Sequence, residues 1–357
     1  MKALTDISPL IQEIKDQEGP DFSCDEELLS QFIQTQQEPE PAISTRVLSV
    51  IGGALATLAF TGFLLVVGLY NSTAGLIIFG LVALAGGLII HQFSKSLMYD
   101  STAISLFLIG YVMFLFGLSS SNFSEQNLAF VSLIIGLASF FISQSAIIAF
   151  LGILMACGGL FTFIQMFHAP NLIHVYNLIL LIAYYWVAVN EATFFNKTLK
   201  TANKYQALLS ALILAFILGL TSLANSFYHG SNPNYFYLTT VANTSAILYC
   251  SYFVLNQLQI QHKILPWLIY VLIILLMALC AYTPGISGTL LIILLSYRTN
   301  FKPGLAIGIA AFVYFISNFY YNLNINLLNK SLLLIGSGLL FLALYGLILK
   351  LKSNEQD

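Results

Sequence analysis

The stretch from Ser331 to Leu349, SLLLIGSGLLFLALYGLIL, contains no charged residue over 19 positions. A helix rises about 1.5 Å per residue, so about 20 apolar residues cross the roughly 30 Å hydrocarbon core of a bilayer. The stretch therefore predicts a transmembrane helix. Similar apolar runs, separated by short polar breaks, recur from Arg46 onward. Together they predict an all-α, polytopic membrane protein.

The composition of the whole chain excludes an ordinary soluble protein. Hydrophobic residues make up 58% of the 357 residues and charged residues only 8%, whereas soluble domains carry about 25% charged residues. We therefore expect the lipid bilayer as the main surroundings of this chain. The formal net charge of −2 gives no indication of a nucleic-acid partner, and none is expected.

Counting apolar runs of sufficient length gives about twelve transmembrane helices. Only the three residues around Gln144 separate the fourth span from the fifth. The tenth span is short, and a short span is tilted, re-entrant or buried within the bundle. The predicted spans begin near Val47, Thr73, Ser101, Leu128, Ser145, Leu172, Ala207, Leu238, Ile264, Pro284, Pro303 and Leu327.

The distribution of charge predicts the orientation of these spans. When the loops are numbered alternately from a cytoplasmic N-terminus, twelve of the 13 basic residues fall on the cytoplasmic side. This asymmetry follows the positive-inside rule, so we expect both the N-terminus and the C-terminus in the cytoplasm. The opposite face then holds one basic residue, Lys330, and one acidic residue, Glu125.

The same distribution divides the chain into three parts. Ten of the 15 acidic residues lie within residues 1–45, which predicts an acidic cytoplasmic tail with short helices. Residues 46–352 form the predicted transmembrane helical domain. Residues 353–357 form a cytoplasmic C-terminal tail.

Lys330 lies at the predicted start of the last span, where the partial positive charge of a helix N-terminus disfavours a cation. Asn322, Asn326 and Lys330 are spaced four residues apart, so on a helix they form one polar stripe. One interpretation is a lysine whose ammonium reaches the interface while its stem stays in lipid. The other is a lysine held inside the bundle by a partner such as Glu125 or Asn318, where it helps to form a site.

Two further features are open to a structural and a functional interpretation. The sequence TPGISG, from Thr283 to Gly288, opens the tenth span with a Pro-Gly pair. It predicts either a tight turn or a broken helix whose freed carbonyls help to build a site, as in transporters. Asn243 in the eighth span predicts either a hydrogen bond between helices or a polar group in a permeation path.

Signatures of an enzyme are absent from the sequence. Neither HExxH nor GxSxG occurs, and no histidine pair has metal-ligand spacing. We therefore expect a protein that is not an enzyme, with no catalytic residue, cofactor or metal. The candidate polar membrane site consists of Glu125, Asn243, Asn318, Tyr320, Tyr321, Asn326, Lys330 and Ser331.

The last third of the chain carries a resemblance. It combines a Pro-Gly helix start, a basic loop, a Tyr-Tyr pair and a Leu-Leu-x-Lys-Ser motif before the final helix. These are Pro284-Gly285, Arg298 with Lys302, Tyr320-Tyr321 and Leu327-Leu328-Asn329-Lys330-Ser331.

This combination resembles a bacterial family of multi-pass membrane proteins catalogued as domain of unknown function 4401. The resemblance covers about residues 45 to 350. It implies the same helical architecture in a bacterial inner membrane and adds no substrate. An arginine that members carry late in the final helix is absent from FLALYGLILK, residues 341–350.

These observations favour a transporter or permease whose small-molecule substrate the sequence does not specify. The reasons are the number of helices, the helix breakers and the polar residues near one end of the bundle. The alternative is a non-transporting membrane component, such as an assembly or envelope-maintenance factor, that acts through its helix faces and N-terminal tail. A membrane-protein partner or a homo-oligomer fits either function.

Overall fold

A computed structural model describes residues 71–93, 97–167, 171–191, 199–228, 237–257, 264–281 and 283–322, together with scattered residues within 52–68, residue 169 and scattered residues within 328–342. The regular structure of these residues is helical, and no β-strand occurs among them. The helices with defined bounds are α1 (Thr73–Phe93), α2 (Leu97–Ser120), α3 (Glu125–Ile142), α4 (Ala146–Gln165), α5 (Leu172–Val189), α6 (Leu199–Tyr228), α7 (Tyr237–Gln257), α8 (Ile264–Leu279), α9 (Pro284–Arg298) and α10 (Lys302–Asn322).

The surface of the helices is that of a protein surrounded by lipid. Eight of these helices are long and apolar enough to cross a membrane. Large apolar side chains point outward on many of them, for example Phe141 at 75% exposure and Trp267 at 73%. Soluble monomers rarely expose contiguous apolar surface on this scale. The prediction of an all-α membrane protein is confirmed.

The helix positions agree closely with the predicted spans. Helices α1, α5, α8 and α9 begin at the residues predicted for them, and α9 has only 15 residues. The largest difference is at α6, which begins at Leu199 rather than near Ala207. Its first turns are polar and extend the helix beyond the apolar run. The first and last predicted spans fall largely outside the described residues.

The predicted break around Gln144 is confirmed, because α3 ends at Ile142 and α4 begins at Ala146. Ser143 Oγ accepts a hydrogen bond from the backbone N–H of Ser145 at 3.0 Å. Ser145 Oγ in turn accepts one from the N–H of Ile148, in the first turn of α4. Serine is a favoured N-cap for this reason, so two serines suffice to end one helix and start the next.

Glycines bring α1 close to α2 and α3 close to α4. A Cβ added at Gly110 of α2 would lie 2.5 Å from the backbone nitrogen of Leu84 in α1, and one added at Gly152 of α4 would lie 2.7 Å from the carbonyl oxygen of Gly136 in α3. Small residues permit this backbone approach, which is a main source of helix association in lipid.

Helix α6 lies at the centre of the second half of the bundle, in contact with α4, α5, α9 and α10. Its buried face supplies Phe216, Leu220 and Leu223, each 0% exposed, to the largest apolar core. Lys204 near its start donates a hydrogen bond at 3.0 Å to the carbonyl oxygen of Phe140, in the last turn of α3. That carbonyl has no partner within its own helix, so the lysine ties α6 to the end of α3.

Helices α5, α7 and α9 run in the same direction around α6. His174 contacts Thr239 near the starts of α5 and α7, and the rings of Tyr185 and Tyr249 lie 5.8 Å apart near their ends. Helix α9 follows the same direction, since its start contacts Asn243 in the first half of α7 and its end contacts Phe253. The N-terminal ends of three parallel helices therefore meet at one end of the bundle.

Substitution of Gly152 by alanine is expected to destabilise the protein by about 1–3 kcal/mol, because the added Cβ would meet backbone that has no room to move. The measurement is thermal unfolding of the detergent-solubilised protein for wild type and Gly152→Ala.

Gly158→Ala is the matched control in the same helix, because a Cβ there meets nothing within 4 Å. Its stability should equal or exceed that of wild type, since alanine is favoured over glycine in a helix by about 0.5–1 kcal/mol. Equal losses at both positions would contradict the close contact between α3 and α4.

Candidate functional site

The N-terminal ends of α5, α7 and α9 carry a group of buried polar side chains, here called the polar cluster. Its members come from three helices that are separated in the chain but adjacent in the bundle. None of them is more than 5% exposed. The polar cluster consists of His174, Asn177, Thr239, Asn243 and Ser287.

The first link of the polar cluster joins α5 to α7. His174 Nδ1 and Thr239 Oγ1 lie 2.6 Å apart, a hydrogen-bond distance. Asn177 follows His174 by three residues and Asn243 follows Thr239 by four. Since the two helices are parallel, both amides lie about one turn deeper in the bundle, at the same level.

The second link joins α7 to the Pro-Gly start of α9. Asn243 Nδ2 donates to Ser287 Oγ at 3.0 Å and to the carbonyl oxygen of Pro284 at 3.4 Å. Ser287 Oγ donates to the same carbonyl at 3.1 Å. One turn earlier, Thr240 Oγ1 donates to the carbonyl oxygen of Ala281 at 3.0 Å. The side chains of α7 therefore bond one carbonyl within the break between α8 and α9, that of Ala281, and one in the first residue of α9, Pro284.

Two amide oxygens of the polar cluster have no hydrogen-bond partner among the described residues. Asn177 is 0% exposed and its Nδ2 donates to the carbonyl oxygen of Ile173, while its Oδ1 is unpaired. Asn243 is also 0% exposed, and its Oδ1 is unpaired as well. An amide oxygen buried without a donor costs about 1–3 kcal/mol. The bundle thus holds two strong acceptors for which its described side chains provide no donor.

Glycines make room for both amides. A Cβ at Gly219 of α6 would lie 2.7 Å from Asn177 Oδ1, and one at Gly288 of α9 would lie 3.3 Å from Asn243 Nδ2. A larger residue at either position would push into the amide beside it. Because glycine has no Cβ, the backbones of α6 and α9 approach the polar cluster more closely than they could with any other residue at these two positions.

Of the predicted site residues, Asn243 is the one that the polar cluster contains. Asn318, Tyr320 and Tyr321 lie together in the last turns of α10. Asn322 Nδ2 donates to Asn318 Oδ1 at 2.6 Å, and the rings of Tyr320 and Tyr321 are 5.6 Å apart. No hydrogen bond or ring contact between described residues joins this group to Asn243.

The remaining predicted residues lie elsewhere or outside the described residues. Glu125 is the exposed first residue of α3, a helix that packs mainly against α4. Ser331 is exposed, and its Oγ donates to the carbonyl oxygen of Leu328 at 2.8 Å. Lys330 and Asn326 lie outside the described residues, so pairing of Lys330 with Glu125 stays a prediction.

Sequence reasoning left four members of the polar cluster out of the candidate site: His174, Asn177, Thr239 and Ser287. Each is polar within an apolar run, and the spacing of three or four residues to the next polar side chain places it on one helix face. That spacing was the available signal. The spacing does not show that α5, α7 and α9 are neighbours in the bundle.

The chemistry available to the polar cluster is that of hydrogen bonding. It offers amide oxygens, hydroxyl groups and one imidazole, and none of its members is an acid. Among the described residues, no group of three or more His, Cys, Asp or Glu side chains is placed to hold a metal ion. The arrangement can bind a polar solute or water.

Asn243 and Ser287 are expected to be energetically coupled, because one hydrogen bond joins them across two helices. A double-mutant cycle with Asn243→Ala, Ser287→Ala and the double variant should give a coupling of about 0.6 kcal/mol, the average for such bonds in a membrane. The measurement is the free energy of unfolding in detergent.

Ser245→Ala, at an exposed position of the same helix, should show no coupling to Ser287→Ala. Additive effects of Asn243→Ala and Ser287→Ala would contradict the link.

Comparison with known sequences identifies the family. No curated protein and no solved structure matches the chain. The sequence profile of Domain of unknown function (DUF4401) matches residues 43–351. This match includes every described helix and the whole polar cluster. The protein therefore belongs to the DUF4401 family, as the resemblance of its last third predicted.

Proposed function

We propose that this protein is a transporter or permease for a small polar solute, with a pathway between α5, α7 and α9 that passes through the polar cluster. The observation that carries the proposal is the pair of unpaired, fully buried oxygens, Asn177 Oδ1 and Asn243 Oδ1. The proposal gives the protein no catalytic role.

Unpaired oxygens of this kind are costly in a membrane. The hydrocarbon core supplies no water, so an unsatisfied polar group there is more costly than in a soluble protein. Two of them at the same level, beside the start of a broken helix, indicate a place where a solute or water completes the hydrogen bonds. Transporters place their binding sites at broken helices in the same way.

The proposed membrane arrangement is twelve spans with both termini in the cytoplasm of a bacterium. Two observations support it: α5, α7 and α9, the sixth, eighth and tenth spans of this count, run in the same direction, and numbering the loops of the sequence in this way places twelve of the 13 basic residues on the cytoplasmic side. In this orientation the polar cluster lies in the outer half of the inner membrane. The proposed solute would then enter the polar cluster from the outer face.

A second candidate function, a non-transporting membrane component, is favoured by the packing below the polar cluster. Leu291, Ile292 and Leu295 of α9 follow Ser287 along the helix, and each is 0% exposed. They close the space between α6 and α9 in this conformation. A transporter must open this apolar layer during its cycle, whereas a structural component keeps it closed.

Cysteine accessibility distinguishes the two functions without knowledge of the solute. Cys24, Cys157, Cys250 and Cys280 are first replaced by serine or alanine. Asn243→Cys in that background is expected to react with a membrane-impermeant methanethiosulfonate reagent, because a transporter exposes its pathway to water in part of its population. The measurement is the labelling rate in vesicles.

Ala149→Cys is the buried control, since Ala149 is 0% exposed on α4, outside the proposed pathway. Ser121→Cys, in the exposed loop after α2, is the reactive control. Asn243→Cys should label at least about tenfold faster than Ala149→Cys. A tenfold ratio corresponds to a difference of about 1.4 kcal/mol in the free energy of exposing the two positions to water. Equal rates at these two positions would favour the non-transporting component and contradict transport.

A further inference from the structure

The end of the bundle opposite the polar cluster contains a cleft with two cationic side chains, here called the basic cleft. It has a volume of about 420 Å³, within the range of small-ligand sites. Its walls come from the end of α7, the end of α9 and the start of α10. The residues that line it are Val254, Ser296, Tyr297, Arg298, Asn300, Phe301, Lys302 and Leu305.

A tight turn holds α9 and α10 in place around the basic cleft. Asn300 has a φ of 51°, the left-handed conformation that asparagine tolerates better than most residues. The N–H of Asn300 donates to the carbonyl of Tyr297, and the N–H of Phe301 donates to that of Ser296 at 2.9 Å. This is the Schellman pattern of helix termination. It satisfies carbonyls at the end of α9 and starts α10 at once, with Lys302 as its first residue.

Arg298 is held at the base of this turn. Its guanidinium lies 4.8 Å from the ring centre of Phe253 in α7, a cation–π contact. It also lies beside Tyr185 Oη and Cys250 Sγ. These contacts fix the position of the guanidinium without neutralising it. Its Nη1 is buried and has no hydrogen-bond partner among the described residues.

The positive charge of the basic cleft is not balanced within the described part of the chain. Neither Arg298 nor Lys302 forms an ion pair with a described acid. The N-terminal end of α10 adds partial positive charge. A guanidinium, an ammonium and a helix N-terminus are the groups with which proteins bind phosphate.

We propose that the basic cleft is a binding site for a phosphate group, with Arg298 and Lys302 as its ligands. The apolar walls formed by Val254, Phe301 and Leu305 suit a phosphoester that carries an apolar portion. The cleft lies where one membrane helix ends and the next begins, the level at which lipid phosphates lie. This site does not depend on the proposed transport function, because it uses different residues at the other end of the bundle.

Native mass spectrometry of the full-length protein tests the proposal. The detergent-solubilised protein is titrated with phosphatidylglycerol and, separately, with inorganic phosphate. Wild type is expected to bind one or both of them. Arg298→Gln with Lys302→Gln is expected to weaken that binding about tenfold or more, since each cation near the surface contributes to attraction of an anionic lipid. Binding of phosphatidylglycerol alone would identify a lipid headgroup, and binding of inorganic phosphate a soluble ligand.

Two further variants keep the test decisive if loss of Arg298 disturbs packing. Lys302→Gln alone changes an exposed side chain and should also weaken binding. Lys204→Gln removes one charge from a residue that bonds the Phe140 carbonyl and does not line the basic cleft, and it should bind as wild type does. Binding by Lys302→Gln and the double variant that equals wild type would overturn the proposal, as would the absence of binding by wild type.

Discussion

The hydrogen bonds from Asn243 to Ser287 and to the Pro284 carbonyl are the contacts on which the arrangement of the second half of the bundle depends. In hydrocarbon, every polar group of the backbone must find its partner within the protein. The break between α8 and α9 leaves carbonyls just after the end of α8 without a donor in their own helix, and neighbouring helices must satisfy them. Helix α7 supplies these donors through Thr240 and Asn243, and so determines where α9 begins.

Helix α9 then connects two chemically different regions. Its first turn belongs to the polar cluster, where amide oxygens are unpaired, and its last turn carries Arg298 into the basic cleft. Between them lie apolar side chains that are 0% exposed and, near the end of the helix, the pair Tyr184 and Ser296, whose oxygens are 3.2 Å apart. Helix α9 has only 15 residues and is about 22 Å long. This is shorter than the roughly 30 Å hydrocarbon core of a bilayer, so α9 does not cross the core by itself.

Helix positions were largely predictable from the sequence because the membrane imposes one length and one composition on every span. Helix α6 begins before the predicted start of its span, since the first turns of the helix are polar and an apolar run does not include them. The family was predictable from a few residues in the last third of the chain. The twelve-span count and the orientation stay predictions, because the first and last spans lie largely outside the described residues.

The candidate site was predictable only in part. Lys330 is recognisable as a candidate because a single charge at a helix start is visible in one segment of sequence. The polar cluster is assembled from residues as far apart as His174 and Thr239, 65 positions along the chain. Their proximity follows from how α5, α7 and α9 pack around α6, which no local pattern encodes. Asn243 was the one member conspicuous enough to be selected alone.

The most direct test of the central claim is a cryo-electron microscopy map of the protein in lipid nanodiscs, at a resolution that shows ordered water. We predict non-protein density within hydrogen-bond distance, about 3 Å, of Asn177 Oδ1 and Asn243 Oδ1. A dry cluster in which both amide oxygens accept hydrogen bonds from protein groups would contradict it.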